Sequence, residues 1–546
     1  MKMTLALSPG MMLMVMVVAL LLSSPCSFHG VEGFECNGTR PEPRLRKFAS
    51  KEVDEFLDVW VPRLKDRELA SIFNVTLANA LDTTFEHVDG RDDTFVITGD
   101  IKAMWIRDST FQVRPYARYF LRRNARTPLS DALCGLVRRQ ARSVLLDQYA
   151  NAFNFDGKGP GGPHQGDRRR PKMTKHLYEG KYELDTLVSF LHLSNEYYGA
   201  TEDREVRSAD GNSLTPEALL DLTPLSFPPC VQPHCSAKCF DEGWLKAIEA
   251  VLQTVQVQQR STGDEGVSPA YQFWRSEGDL SYNGTGNPGR RTRMAKSGFR
   301  PSDDPCQHPF HVPSNMWLQK ELRDLNGTLA HLGRGKTLAA LAVELAIQVA
   351  EGLKHALVPS PLNASETILA YEVDGYGSRV IMDDANAPSL LSLPYLESVP
   401  SAAGDEEVFL RTKKVVLSKD TNPYYFEGSS GLRGVGSPHV GYGMIWPLGV
   451  IYDLFGPEKS DEGILAGLDV LKRSAAGTNC MHESFWKEDP SVFTRQWFAW
   501  ANSAFAELIV FLLRTRPHLL LPKPFLDAWT KTAGGEGGAA RQKKHR

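Results

Sequence analysis

No one sign of charge dominates this chain. Its 546 residues carry 62 Lys and Arg against 65 Asp and Glu, a formal net charge of -3. Polyanion binding needs a cationic excess, so nucleic acid is not expected as a partner. Long apolar runs are scarce too. The one that occurs, Met11–Leu22, follows Lys2 and precedes Ser23-Ser-Pro-Cys-Ser27. At about 12 residues it is short for a membrane span and suits a signal-peptide core. Cleavage is expected between Ser24 and Gly33, with an uncleaved anchor holding a lumenal enzyme as the alternative; apart from that anchor, no membrane contact is expected. Short internal repeats are missing, which excludes a solenoid of small units. A linker rich in Ser, Pro or Gly through the middle is missing as well. The expectation is one large domain over residues 34–530, after a targeting segment over 1–30 and before a disordered basic tail over 531–546.

Cysteine is sparse: there are eight, and Cys26 would leave with the signal. Cys36, Cys134, Cys230, Cys235, Cys239, Cys306 and Cys480 remain, an odd number. The secretory lumen oxidises thiols, so disulfides are expected, with one thiol left free and buried. The cluster Cys230-x4-Cys235-x3-Cys239 encloses His234. Its spacing fits no standard zinc knuckle, and disulfides are the preferred reading. Sequons at Asn37, Asn74, Asn283, Asn326 and Asn363 agree with secretory entry and are expected near the surface.

Apolar residues at helical spacing predict helices over Ser50–Pro62, Leu69–Leu81, Met104–Arg123, Leu129–Phe153, Lys181–Tyr198, Trp244–Gln259, Ser314–Leu325, Gly335–Leu357, Ser389–Leu396, Gly443–Phe455, Glu462–Ser474 and Trp500–Arg514. Asp92–Gly99 and Glu372–Val380 read as extended. Asp156–Arg170 reads as a loop and Ala209–Pro233 as a surface insertion. Many helices joined by long glycine- and aromatic-rich loops suggest helix pairs in a toroid, with the loops gathered at one end where chemistry usually sits.

Those loops carry carboxylates among aromatic rings. In Gly477–Pro490, Glu483 stands between His482 and Ser484, with Phe485, Trp486, Trp497 and Trp500 close in sequence. Rings beside a carboxylate desolvate it and offer a sugar a flat apolar face. Asp100, Arg107 and Asp108 occupy Gly99–Ser109, where an Arg–Asp pair could clamp hydroxyls or simply cap a helix. Phe299-Arg-Pro-Ser-Asp-Asp-Pro carries adjacent Asp303 and Asp304. If both are desolvated, mutual repulsion should raise one proton affinity, although Ser-Asp-Asp-Pro is also a common turn. Met382-Asp-Asp-Ala-Asn adds Asp383, Asp384 and Asn386. Ser437-Pro-His-Val-Gly adds His439, and Arg495 follows the Glu483 loop.

Five blocks in this order (Trp-Ile-Arg-Asp-Ser, Arg-Pro-Ser-Asp-Asp, Met-Asp-Asp-Ala-Asn, Ser-Pro-His-Val-Gly and Cys-Met-His-Glu-Ser-Phe) resemble glycoside hydrolase family 125 over roughly residues 45–520. The resemblance implies an all-α fold, the (α/α)6 barrel, and an inverting exo-acting α-1,6-mannosidase that uses no metal and no cofactor. It implies Glu483 as general base and the Asp303–Asp304 pair as source of the general acid, Asp304 being preferred. Asp100, Arg107, Asp108, Asp383, Asp384, Asn386, His439, His482 and Arg495, as members of the blocks or their flanks, are the candidates for holding mannose hydroxyls. The expected partners are α-1,6-linked mannoside glycans, and the expected state is a monomer. A lectin-like binding protein, or a barrel glycosidase for another sugar, is the alternative; the presence of both carboxylates favours the enzyme.

Overall fold

The computed structural model describes residues 38–527, apart from residues 124, 158–162, 202–237, 266–268, 276–279 and 400–404. The targeting segment, Asn37, the Cys230–Cys235 cluster with His234, and the basic tail lie outside the described residues. Among those residues, twelve helices are eight residues or longer: α1 (Lys51–Trp60), α2 (Arg67–Thr83), α3 (Ile106–Tyr119), α4 (Pro128–Leu146), α5 (Leu184–Thr201), α6 (Glu242–Gln258), α7 (Val312–Leu332), α8 (Lys336–Gly352), α9 (Asp405–Val416), α10 (Pro447–Leu454), α11 (Asp461–Ser474) and α12 (Ala499–Thr515). None of the described helices is long and apolar enough to cross a membrane.

Local chemistry starts these helices. Ser50 Oγ accepts the Val53 N–H at α1, Asp66 accepts the Leu69 N–H at α2, and Thr127 exchanges hydrogen bonds with Ser130 at α4, where Pro128 takes the first position. Each satisfies N–H groups that have no partner inside the helix.

The helices alternate between two layers. Helices α3, α5 and α12 are buried almost all round, the mark of an inner element. Helices α6, α8 and α11 bury only one stripe. Inside, α3 packs on α5 and α12, α5 on α7, and α12 on α10; outside, α4 packs on α5 and α6, α6 on α8, α8 on α7, α11 on α10 and α2 on α12.

The sixth inner place is not a helix. The expected helix Ser389–Leu396 is a run of turns. Its apolar spacing is right, but Pro394 has no N–H to give to the Leu390 carbonyl and disfavours helical geometry at Leu393. Asp383 accepts the Leu390 and Leu391 N–H groups at 2.8 and 2.9 Å, which ties the start of the turns to the preceding loop. Tyr395 from this segment reaches into the centre. Its ring lies 6.0 Å from Phe111 of α3 and 4.9 Å from Tyr452 of α10, and its hydroxyl donates to Glu507 of α12 at 2.9 Å. Phe111 also stacks on Trp500, 5.0 Å apart and 5° from parallel.

Further expectations change. The helix expected from Gly443 begins at Pro447, because Met444–Ile445 pairs with Phe485–Trp486, and Arg168–Arg170, expected in a loop, pairs with Gln272–Trp274. The helix predicted to run to Phe153 ends at Leu146, and Ala152–Phe153 pairs instead with Met104–Trp105. That pairing also removes two residues from the start of the helix expected at Met104. Helix α9 has no counterpart among the predicted helices. The extended readings hold as short strands at Asp93–Val96, Glu372–Val373 and Arg379–Val380.

Cys134 and Cys239 form a disulfide, which excludes Cys239 from a zinc site; Cys480 is also disulfide-bonded, and Cys306 is a free, buried thiol. Of the sequon asparagines, Asn283 and Asn363 are exposed, whereas Asn74 and Asn326 are only partly exposed and lie inside α2 and α7.

Candidate active site

Inner helices α3, α10 and α12 all begin at one cavity. Arg107 and Asp108 come from the first turn of α3, Trp446 immediately precedes α10, and Phe498 and Trp500 open α12. Helix N-termini carry partial positive charge, so carboxylates gathered there are favoured. Glu483, Asp303, Asn386, His439 and Arg495 line the same cavity.

Glu483 sits just before Ser484–Trp486, the middle strand of a three-stranded sheet with Met444–Ile445 and Phe493–Thr494. Pairing of Ser484 with Thr494 brings the Thr494 hydroxyl to Glu483, to which it donates at 3.0 Å. Arg495 Nη1 lies 3.5 Å from the other Glu483 oxygen, and the same guanidinium holds Asp100, with Nε to Oδ2 at 3.0 Å. His482 faces away from this chemistry. It stacks flat on Phe493 at 3.6 Å, its Nδ1 lies 3.2 Å from the Arg495 carbonyl and its Nε2 3.2 Å from Thr478 Oγ1; burial lowers its proton affinity.

Asp303 and Asp304 part company. Asp303 has φ 71°, a left-handed conformation that non-glycine residues rarely adopt. The turn is fixed by Arg300 N–H to the Asp304 carbonyl at 2.8 Å and Asp303 N–H to the Arg300 carbonyl at 2.9 Å. Buried Arg300 is itself held by Glu372 at 2.6 Å. In this turn Asp303 lines the cavity and faces Arg107, whereas Asp304 lies 3.6 Å from His439 Nδ1. Burial raises the proton affinity of Asp303, but Lys181 and Arg107 outweigh it and hold the group well below the carboxylate range. The expected repulsion between sequence neighbours is therefore not what governs it. Burial acts to lower His439, but Asp304, Asp303 and Glu483 together push it up to about 9.

Arg107 is the hub beneath the cavity. It lies over the Trp500 ring and faces four carboxylates: Asp108 at 3.3 Å, Asp185 at 3.4 Å, Asp303 at 3.5 Å and, closest, Glu183. Burial pushes Asp108 and Asp185 up to about 6 and Glu183 well above its ordinary range, against the pull of Arg107. Asn151 Nδ2 donates to Glu183 at 2.8 Å and lies 3.4 Å from Asp303.

The remaining candidates support the walls. Asp384 accepts from Ser302 Oγ at 2.6 Å, and burial pushes it up to about 6. Asp383 is spent on the backbone of the Ser389–Leu396 turns, and burial pushes it up to about 8. Asn386 donates to the Pro301 carbonyl at 3.3 Å, while its buried Oδ1 has no protein partner. The buried indole N–H groups of Trp105 and Trp446 also lack one. Unpaired polar atoms on the wall of a cavity are what a ligand rich in hydroxyls would satisfy. Of Phe485, Trp486, Trp497 and Trp500, only Trp500 lines the cavity; Trp105, Trp446 and Phe498 supply the other rings. Glu183 and Asn151 stand outside the five sequence blocks. Glu183-Leu-Asp185 reads as an acidic first turn of an apolar helix, which is ordinary.

Residues 66–219 and 231–510 match the family of metal-independent alpha-mannosidases (GH125). The chain belongs to that family. It is 36% identical over 501 residues to the Meiotically up-regulated gene 157 protein of Schizosaccharomyces pombe, covering 88% of this chain and 89% of that protein. Among solved structures it is similar to a metal-independent alpha mannosidase of Streptococcus pneumoniae in a non-productive complex with alpha-1,6-mannobiose. That likeness has a TM-score of 0.72 and 33% identity, and covers 86% of this chain and 100% of that one. The two helical layers are thus those of an (α/α)6-type barrel, and the protein is a glycoside hydrolase, an α-mannosidase.

Proposed function

We propose that this α-mannosidase is exo-acting, cleaves terminal α-1,6-linked mannose, and inverts configuration by a single displacement. The observation that carries this reading is the placement of Asp303 and Glu483 on one aromatic-walled cavity. Glu483, charged, removes a proton from the water that attacks the anomeric carbon. Asp303 delivers a proton to the departing glycosidic oxygen; of the adjacent pair it is the one that lines the cavity, while Asp304 is engaged with His439. An inverting pair needs about 6.5–9.5 Å between its carboxyl groups, room for one water. Asp108, Asn386 and the indoles of Trp105 and Trp446 are the groups available to mannose hydroxyls. Buried Arg107, with its carboxylates, forms part of the cavity wall. The α-1,6 preference follows the disaccharide held by the Streptococcus pneumoniae relative. Action inside the secretory pathway is supported by the N-terminal apolar run and by the Cys134–Cys239 disulfide.

The test is to add the purified enzyme to α-1,6-mannobiose and follow the released anomer by NMR. β-Mannose is expected first; first release of the α-anomer overturns the inverting scheme, and no cleavage overturns the substrate assignment.

A further inference from the structure

Four carboxylates face one guanidinium at Arg107. Lys181 adds a second cation, but it is shared with Glu179, 3.4 Å away. Arg495 also acts on Asp108 but is held by Asp100 and Glu483, and His439 acts on Asp303 but is engaged with Asp304. Carboxylates this closely packed and this buried cannot all be ionised, so the cluster must hold protons. The question is which member holds the one that matters for chemistry.

Glu183 has no exposed side-chain surface. Arg107 from α3, Asn151 from the strand region after α4, Asp185 and Thr186 from α5, and Asp303 from the cavity turn all touch it or act on it, and Lys181 lies nearby. A proton on Glu183 has no direct route to solvent. Its hydrogen-bonded neighbour Asp303 does, because Asp303 is about a quarter exposed, with a side-chain value of 24%, and lines the cavity. Asn151 pins both carboxyl groups, and the left-handed turn at Asp303 leaves it little freedom to swing away.

We propose that Glu183 stores the proton that Asp303 hands to the glycosidic oxygen, so that the two carboxyl groups act together as the acid. This rests on the reading of Asp303 as the acid. At rest the proton is on Glu183, which burial favours, and Asp303 is charged, which Lys181 and Arg107 favour. As the glycosidic bond breaks, its electron pair stays on the leaving oxygen. Glu183 passes its proton to the charged Asp303 carboxylate, and Asp303 gives that proton to the departing oxygen, leaving both carboxyl groups charged. The attacking water bonds to the anomeric carbon and gives its proton to Glu483. After product leaves, the proton on Glu483 returns through solvent to the Asp303–Glu183 pair, and no other reactant is consumed. Glu183 is a positioning residue here, since it reaches substrate only through Asp303.

The experiment compares Glu183→Gln, Asp303→Asn and the unaltered enzyme on two substrates: α-1,6-mannobiose, whose leaving alcohol needs a proton, and a dinitrophenyl α-mannoside, whose leaving phenolate does not. Glu183→Gln should lose about a hundredfold or more in kcat on mannobiose and less than about fivefold on the aryl mannoside, the span expected when acid assistance is lost. The basic limb of its kcat/KM profile should move to lower pH. Equal losses on both substrates, or no loss on either, overturn the proton store. Asp303→Asn separates this from the parent reading: if it shows no leaving-group split, Asp303 is not the acid. If it does and Glu183→Gln does not, only the store fails. A measurement that needs no activity is infrared spectroscopy of the unaltered enzyme at neutral pH. Loss of one component of the protonated-carboxyl absorption in Glu183→Gln is expected, the remainder coming from groups such as Asp383; no change in that absorption, or a variant that fails to fold because Arg107 needed a charged partner, overturns the proposal.

Discussion

One of the most deeply buried ion pairs among the described residues gives the sharpest stability prediction. Arg114 of α3 and Glu507 of α12 are 2% and 1% exposed at the side chain, and they meet in the core beneath the site. Arg114 also donates to the Tyr395 carbonyl at 2.7 Å and to His192 at 3.2 Å, and its guanidinium lies 3.9 Å from the Tyr395 ring centroid. Arg114→Met leaves Glu507 charged and buried with only the Tyr395 hydroxyl, a loss of about 3–5 kcal/mol. Glu507→Leu strands the guanidinium at a similar cost of about 3–5 kcal/mol. The double variant removes both charges and leaves three neutral groups short of a partner, at about 1 kcal/mol each. Its loss of about 3 kcal/mol is therefore far below the sum of the singles, with a coupling energy of about 3 kcal/mol or more. At an unfolding entropy of about 2.1 cal/mol/K per residue, a chain of this size loses roughly 1 °C of Tm per kcal/mol. Each single variant should then melt about 3–5 °C lower, and the double about 3 °C lower, in calorimetry. A double variant that melts as low as the two single losses combined refutes the argument that these charges are held for each other.

Three further outcomes follow from the site and its frame. Glu483→Gln should lose about a hundred- to ten-thousandfold in kcat on α-1,6-mannobiose with KM little changed, because the Thr494 hydroxyl can still donate to the amide oxygen; steady-state kinetics within tenfold of the unaltered enzyme remove it as the base. Burial raises Asp108 to about 6, so in the folded state its ionisation costs stability as pH climbs through about 6, and the cost is absent below the ordinary carboxylate range. Asp108→Asn should therefore raise Tm at pH 8 by up to about 3 °C and leave it unchanged near pH 3.5, while lowering turnover; a Tm gain equal at both pH values contradicts the assigned cause. Cys134→Ser opens a disulfide between residues 105 apart and should cost about 4–5 kcal/mol in denaturant unfolding while kcat at 25 °C stays near normal. A kcat loss at full folding would mean that the bond shapes the site.

Locally determined elements are legible in the chain. The Ala- and Leu-rich α8 and the capped α1 announce themselves by spacing and N-cap, and both fall near their expected bounds. Ser389–Leu396 has the same apolar spacing, but Pro394 within it removes an N–H, and a carboxylate seven and eight residues back takes the Leu390 and Leu391 N–H groups, which no pattern within the segment reveals. The site divides in the same way. Arg107, Asp108, Asp303, Asn386, His439, Glu483 and Arg495 stand in or beside distinctive blocks, and the fold brings them to one cavity. Asp383 and His482 stand in equally distinctive blocks, but their polar atoms are spent on backbone and on a neighbouring hydroxyl. A motif shows that a residue matters, not whether it faces the ligand or holds the wall. The adjacent Asp303 and Asp304 make the point most sharply. Sequence proximity suggested that each would set the proton affinity of the other. In the folded chain a left-handed turn points them at different partners, and the carboxyl group that shares a hydrogen bond with Asp303 is Glu183. Glu183 meets Arg107 across 76 residues of chain, and its burial is made by helices that approach only when the barrel closes. Proton affinity is a property of that enclosure, so the partner of a catalytic carboxylate is readable from structure before it is readable from spacing.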